Sequence, residues 1–498
     1  MSKYILAIDQ GTTGSTALVL SQEGETLGRA THEFRQHFPK PGWVEHDTRE
    51  ICASVELAVR EAISESKVDA KEIAAIGITN QRETTVVWNK ATGEPIYRAI
   101  VWQCRRTAEV CDQLKAEGNA DFVRAKTGLV IDAYFSGTKI AWLLDNVKGA
   151  RASAEKGELA FGTIDSWLIH KLTKGETHVT DVTNASRTLL CDIQKVAWDS
   201  ELCALFKVPE NMLPKIVGSA EVVAHTKGAG FLPDGIPISG IAGDQQAALF
   251  GQACFEEGDA KCTYGTGAFA LMNIGKKSLI STHGLVTTIA WKVGGEVTYA
   301  LEGSAFIAGA AVQWLRDGLG IIKAASEVEA LARQVESSDG VVFVPALAGL
   351  GAPHWDQDAR GTITGITRGT TAAHLARATL EGIAFQVADL LIAMKEDAAR
   401  PIKSLRVDGG AAKNDLLMQF QSDVLDVRVE RPRDVESTGR GAAMLAAVGA
   451  GLAKPADAAK LIKKDRDFIP QMSAQERSKH LDSWHLAVTK AMAKKALK

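Results

Sequence analysis

The chain has 498 residues, enough for two or three domains. Its 57 Lys and Arg residues nearly balance 60 Asp and Glu, and the formal net charge of −3 excludes a broad phosphate-neutralising surface for nucleic acid. Apolar residues at 46% and charged residues at 23% describe a globular chain with an ample core and exclude disorder, collagen-like repeats and coiled coil.

In chain order, residues 4–8 form an apolar, β-prone run, residues 11–14 a turn, and residues 16–20 a second strand. Residues 51–66 carry apolar side chains at helical spacing, residues 73–78 are strand-like again, and shorter strands follow at 85–88 and 99–102. This alternation predicts an α/β domain. A second unit starts near residue 260, after a loop-like stretch at 251–258. There, Thr263-Tyr264-Gly265-Thr266-Gly267 followed by an apolar strand echoes Asp9-Gln10-Gly11-Thr12-Thr13-Gly14 near the start. Duplication and coincidence both account for so short a match. The Lys- and Ala-rich tail after about residue 451 is expected to be helical, with its charge on a solvated face.

The seven cysteines (Cys52, Cys104, Cys111, Cys191, Cys203, Cys254 and Cys262) are scattered, with no C-x-x-C spacing, which points to a reduced compartment. The first residues are too short an apolar run for a signal peptide, and no stretch approaches a membrane span, so a cytoplasmic protein without membrane insertion is expected.

No Walker P-loop, G-x-S-x-G elbow or H-E-x-x-H pair occurs, and the 11 histidines are dispersed, against a His-based zinc site. Residues 265–270 satisfy G-x-G-x-x-A, but a strand-like run follows where a dinucleotide fold needs a helix. Three Gly-rich turns remain. The first two, at 9–14 and 263–267, offer backbone N–H and hydroxyl donors to an anion, and an Asp at the strand end suits a water-mediated metal contact. A plain hairpin is the competing account of each. The third, Leu405-Arg406-Val407-Asp408-Gly409-Gly410, runs into a predicted helix from Ala411 whose N-terminus suits a nucleotide, with Gly410 and Asn414 on one face. Gly309 and Gln313 repeat that spacing, where glycine would let a flat ring approach closely. Asn80-Gln81-Arg82-Glu83-Thr84-Thr85 offers a donor fork and an acceptor for a polyhydroxylated ligand, or a surface ion pair. Asp244 follows an apolar strand, as either a catalytic base or a helix N-cap.

Taken together and in order, these motifs resemble the FGGY family of carbohydrate kinases, within the actin-like ATPase superfamily. Asp9 to Thr13 looks like the family's first phosphate motif and Thr263 to Gly267 like its second. Tyr134-Phe135-Ser136-Gly137-Thr138-Lys139 with Trp142 resembles one family signature, and residues 361–381 resemble the other. The segments at 39–47, 80–85 and 243–246 look specific to the glycerol-phosphorylating branch.

The resemblance implies an α/β fold of two actin-like (ribonuclease H-like) domains, 1–253 and 254–498, around a central cleft. It implies ATP as phosphoryl donor with Mg²⁺, glycerol as acceptor, and a homo-oligomer, dimer or tetramer. By motif position, Arg82, Glu83, Tyr134, Asp244 and Gln245 contact glycerol, Trp102 and Phe269 wall its carbon backbone, and Asp244 is the base. Thr12, Thr13, Gly14, Thr266, Gly309, Gln313, Gly410 and Asn414 surround the nucleotide, and Asp9 holds the metal through waters. Two departures stand out. Gly14-Ser15-Thr16 replaces a Ser-Ser-Arg frequent in the family, removing a phosphate-facing Arg. Residues 226–231 lack the Arg of the Gly-Lys-Gly-Gly-Thr-Arg loop through which some members respond to fructose 1,6-bisphosphate, which argues against that feedback. The rival readings are a kinase for a longer polyol or ketose, and an actin-like ATPase with no small-molecule acceptor.

Overall fold

The first apolar runs become a three-stranded meander, β1 (Tyr4–Gln10), β2 (Gly14–Ser21) and β3 (Thr26–Glu33). Strand β4 (Ile73–Asn80) lies parallel to β1, and β6 (Pro237–Gly243) parallel to β4. Both faces are covered, which is why β1 reads as a continuous apolar run rather than an alternating one. Leu6 and Ile8 pack with Val55 and Val59 of helix α1 (Thr48–Ser66). Ile5 and Ala7 pack with Ala442 and Ala446 of a helix from late in the chain, α7 (Ser437–Gly449). The computed structural model describes residues 4–434, 436–460 and 462–492.

The second half repeats this plan with β7 (Ala260–Tyr264), β8 (Ala268–Gly275), β9 (Val286–Val293), β10 (Glu296–Ala305), β11 (Leu405–Asp408), β12 (Val429–Pro432) and β13 (Lys464–Phe468). With β5 (Ala220–His225) they complete a 13-stranded sheet in the order β13-β12-β11-β7-β8-β10-β9-β5-β6-β4-β1-β2-β3. The runs β3-β2-β1-β4-β6 and β10-β8-β7-β11-β12 have the same successive pairings: two antiparallel, then two parallel. The echo between residues 9–14 and 263–267 is therefore architectural, each segment turning the first hairpin of its half. Within the sheet the halves are joined by the β5–β9 pairing, Ala220 with Val293, backed by Ser219 N donating to the Lys292 carbonyl at 2.8 Å.

The helices that position the site are α2 (Ser136–Asn146), α3 (Asp244–Gly251), α4 (Gly309–Asp317), α5 (Ala372–Ala398), α6 (Asp415–Leu425) and α7. Among the described residues no helix is long and apolar enough to cross a membrane.

Two expectations need correction. The tail is not wholly helical: the charged segment Lys464–Phe468 pairs antiparallel with β12 as an edge strand, where charges are tolerated and the apolar signal is weak. The last described helix, α8 (Ala474–Met492), does bury one face through Trp484, Ala487, Val488 and Ala491, with Trp484 stacked on Phe385 at 5.3 Å. Residues 493–498 of the predicted tail lie outside the described residues. Second, the helix expected from Ala411 is a 3₁₀ turn, Gly410–Lys413, and α6 begins only at Asp415. Gly410 and Asn414 thus do not share a helix face.

Candidate active site

The turns at 9–14, 263–267 and 405–410, the segment 80–85 and Asp244 lie at the carboxyl ends of central strands, the usual place for a site in an open α/β sheet. Strand β4 ends at Asn80, and the chain then turns sharply at Glu83, whose φ is +59° while Thr84 N donates to the Arg82 carbonyl at 2.7 Å. A non-glycine residue held in that region marks a constrained position. The turn sends the Arg82 side chain across Gly243, where an added Cβ would meet Arg82 Cδ at 2.6 Å. Only glycine at the end of β6 leaves that channel open.

Buried Arg82 is held on every side. Its Nε lies 3.2 Å from Asp244 Oδ1, and its two Nη atoms lie 2.6 and 2.9 Å from the Glu302 carboxylate oxygens. Nη1 also donates to Gln246 Oε1 at 3.1 Å, and Nη2 to the Tyr134 hydroxyl at 3.4 Å. Arg187 bridges Glu83 Oε1 at 2.6 Å and Glu302 Oε1 at 2.9 Å. Burial alone would raise Glu302, but Arg187 and Arg82 outweigh it and hold the carboxylate down at about 2. Burial also raises Glu83 and Asp244, against the pull of the neighbouring guanidinia. Asp244 opens α3 but does not cap it: Gly243 occupies the N-cap, and the Asp244 side chain is 30% exposed into the cleft.

An aromatic wall adjoins these charges. Trp102 meets Tyr134 edge-on at 5.5 Å and Phe269 at 6.4 Å. Tyr134 is fixed from behind by Lys139 of α2, which donates to the Tyr134 and Phe135 carbonyls and which burial pushes down to about 8. Gln245 accepts from the fully buried Lys261, which also donates to Thr263 Oγ1 at 2.9 Å.

Beside this wall stand the two Gly/Thr turns, one in each half of the sheet. Gly11 N donates to the Gly14 carbonyl and Gly265 N to the Gly267 carbonyl, each at 2.9 Å. The carbonyls of the first turn are tied down by amide side chains, Gln81 to Gly11 at 3.1 Å and Gln36 to Thr12 at 2.9 Å. Thr13 and Thr266 are exposed, while Thr12 and Gly14 are half-buried. A Cβ on Gly309 would meet the Gly265 carbonyl at 2.7 Å, and Gly309 N donates to that oxygen at 2.9 Å. Its small size lets α4 pack closely against the second turn. Gln313 is exposed one helical turn further along. Gly410 faces open space, whereas the Asn414 side chain caps α6 by accepting from Leu417 N at 2.8 Å.

Asp9 is the last residue but one of β1, beside the first turn. Burial, followed by the Asp244 and Glu436 carboxylates, pushes it up to about 8. Among the described residues no group of three metal-ligating side chains encloses a cation. Mg²⁺ asks for less, one or two carboxylates plus phosphate oxygens and waters, and the crowding of carboxylates around Asp9 fits such an ion.

Sequence reasoning missed Glu302, Arg187 and Lys261. The signal for two of them was present: Lys261 is the one charge in β7 and Glu302 a charge in the interior of β10, buried-strand positions that only partnered groups tolerate.

Residues 4–251 match the N-terminal domain, and residues 260–450 the C-terminal domain, of the FGGY family of carbohydrate kinases. The chain is 57% identical over 493 residues to a glycerol kinase of Myxococcus xanthus, covering 98% of this chain and 99% of that protein. It is 58% identical over 490 residues to a glycerol kinase of Deinococcus radiodurans, covering 98% and 97%. Plasmodium falciparum glycerol kinase with ADP has the same fold at a TM-score of 0.91 and 39% identity, over 98% of each chain. A xylulose kinase of Lactobacillus acidophilus, 22% identical with a TM-score of 0.88 over 99% of this chain and 98% of that one, shares the fold. With its two repeated half-sheets and the cleft at their strand ends, the chain belongs to the FGGY family of carbohydrate kinases.

Proposed function

We propose that the protein transfers the γ-phosphoryl group of ATP to a terminal hydroxyl of glycerol, giving sn-glycerol 3-phosphate, the first step of glycerol catabolism. The observation that carries this reading is the convergence of Arg82, Tyr134 and Asp244 beside the Trp102 and Phe269 rings, in a chain 57% identical to a glycerol kinase over nearly its whole length. Three small hydroxyls need many fixed donors and acceptors. Arg82, Glu83, Tyr134, Asp244 and Gln245 supply them, with Trp102 and Phe269 against the carbon backbone.

Phosphoryl transfer asks chiefly for positioning and charge neutralisation. Asp244 orients the attacking hydroxyl and accepts its proton, late, since the transition state is loose. Arg82 Nε, 3.2 Å away, fixes the carboxylate. Backbone N–H groups of the two turns, with the Thr12, Thr13 and Thr266 hydroxyls, receive the phosphates, and Gly14, Gly309, Gln313, Gly410 and Asn414 border the nucleotide. Asp9 would hold Mg²⁺ through waters, and that ion supplies neutralisation of phosphate charge. Closure of two lobes, 1–253 and 254–498, excludes water from the reacting groups. Action in the cytoplasm, where ATP is available, and assembly as a dimer or tetramer go with this reading; light scattering on the purified chain tests the assembly.

The activity is tested with an acceptor panel and coupled ADP detection. Glycerol is expected to stimulate ADP release far above the basal rate and to outperform xylulose, ribulose and gluconate. Release indifferent to every acceptor would instead mark a plain ATPase.

A further inference from the structure

Resting on the glycerol-phosphorylating reading, we propose that Glu302 is a positioning residue of the reaction, a carboxylate from the second half of the chain that sets the Arg82 guanidinium in the one orientation that completes the acceptor site. The carboxylate engages both Nη atoms of Arg82, at 2.6 and 2.9 Å, in a fork. Planar bidentate pairing of this kind fixes orientation as well as distance. With both Nη atoms taken, Nε is the edge left facing Asp244 at 3.2 Å and Glu83 at 3.9 Å.

Glu302 acts on Glu83 as well. Its Oε1 accepts from Arg187 Nη2 at 2.9 Å, and Arg187 Nε donates to Glu83 Oε1 at 2.6 Å. Arg82, Glu302, Arg187 and Glu83 therefore alternate in sign around a closed ring whose side chains are all at most 2% exposed. No solvent is available to replace a missing member. Without the Glu302 charge, two buried guanidinia have only Glu83 and Asp244 to turn to, and Arg82 swings toward the base. A glutamine at 302 has the right shape, but one of its two ends donates, and that end would face an Arg82 donor.

The location of Glu302 adds a second role. It lies on β10, which pairs with β8 in the register Ala268 with Ala305 and Phe269 with Ser304, directly beside the second Gly/Thr turn. The fork thus fixes acceptor-binding groups of the first half against the phosphate turn of the second, where misplacement of about 1 Å costs on the order of 10²-fold in rate.

The test uses the full chain with Glu302→Gln, Glu302→Asp, Arg82→Met and the double variant Arg82→Met/Glu302→Gln. It reads kcat and the KM for glycerol by coupled ADP detection, and ADP binding by calorimetry. Glu302→Gln is expected to bind ADP like the parent and to lose about 10²-fold in kcat/KM for glycerol. Glu302→Asp keeps the charge but reaches only one nitrogen, and should recover part of that loss. In the Arg82→Met background Glu302→Gln should cost much less than in the parent, about tenfold or less, because Arg82 is gone and only the hold on Glu83 through Arg187 remains. Glu302→Gln with parental kinetics, or losses that multiply in the double variant, would overturn the proposal. So would failure of both Glu302 variants to bind ADP, which would make the carboxylate purely structural. A parent without glycerol-dependent ADP release would remove the underlying reading instead.

Discussion

Trp102 Nε1 donates to the Thr12 hydroxyl at 2.9 Å, so a ring that walls the proposed glycerol pocket also holds a side chain of the first phosphate turn. The Trp102 backbone N–H in turn donates to Thr84 Oγ1 at 3.3 Å, and Thr84 Oγ1 donates to Gln81 Oε1 at 2.9 Å. Acceptor wall and phosphate turn are thereby parts of one hydrogen-bonded unit. Trp102→Phe keeps an aromatic wall and removes the donor. A lost neutral hydrogen bond is worth about 0.5–1.5 kcal/mol, so kcat/KM should fall by roughly threefold to tenfold, read from initial rates with either substrate varied.

Asp244→Asn keeps the shape of the side chain and its acceptor toward Gln245 N, but ends proton acceptance. Turnover should fall by roughly 10²–10⁴, the range of a positioned acid–base group, while glycerol binding measured by calorimetry changes far less. Near-parental turnover would remove Asp244 from this role.

Local signals gave the first half of the fold well. The run at 4–8, the turn at 11–14 and the helix at 51–66 each carry a period or a turn residue that decides them without tertiary help, and the structure has β1, its hairpin turn and α1 there. The edge strand Lys464–Phe468 carries no such signal, because it is defined by a partner, β12, rather than by an apolar face. The site divides along the same line. Arg82, Glu83 and Asp244 sit in short motifs beside strand ends, so spacing marks them. Glu302 and Arg187 act only through the three-dimensional ring they close, which no linear window contains. Gly309 was legible as a significant glycine, but its contact with the Gly265 carbonyl required the packing of α4 on the turn.

That packing makes a prediction of its own. Gly309→Ala places a Cβ 2.7 Å from a backbone oxygen, and backbone cannot rotate away as a flexible side chain can. Overpacking of this kind costs about 1–3 kcal/mol, and the loss should appear in denaturant unfolding of the nucleotide-free protein. Unchanged stability with weakened ADP binding would mean instead that this glycine serves chiefly to make room for the base.

Asp9 supplies a pH dependence. Burial and the Asp244 and Glu436 carboxylates push it up to about 8, against a reference of 3.8. Between about pH 4 and pH 8 the folded chain therefore holds a proton that the unfolded chain has released, so this group's contribution to stability falls as pH rises through that window. Binding of Mg²⁺ and ADP at Asp9 must expel the proton. Affinity for the pair should then rise with pH up to about 8, with proton release visible as buffer-dependent heats in calorimetry. Asp9→Asn should flatten both dependences, and a parent whose affinity ignores pH would take Asp9 out of the metal site.

The last expectation concerns the residue that departs from the family pattern. Thr16 stands opposite Asp9 in the β1–β2 hairpin, so the two side chains share a face of the sheet, and its hydroxyl is bonded only to Thr31 at 2.9 Å on the neighbouring strand. A short neutral side chain there leaves the phosphates to the turns and to the ion held by Asp9. Thr16→Arg would put a guanidinium on the side where Asp9 and Glu436 concentrate negative charge. If that guanidinium reaches the nucleotide, a charge-assisted hydrogen bond should tighten ADP and ATP by about 1–2 kcal/mol, or roughly tenfold. If it folds back onto Asp9 or Glu436, the carboxylates absorb its charge and nucleotide affinity stays flat or declines. Dissociation constants of both proteins at low and high salt separate the outcomes, because a direct phosphate contact on the cleft surface weakens with salt more than a pair buried beneath the turn. Unchanged or weaker binding in Thr16→Arg would mean that position 16 is not a phosphate contact in this chain.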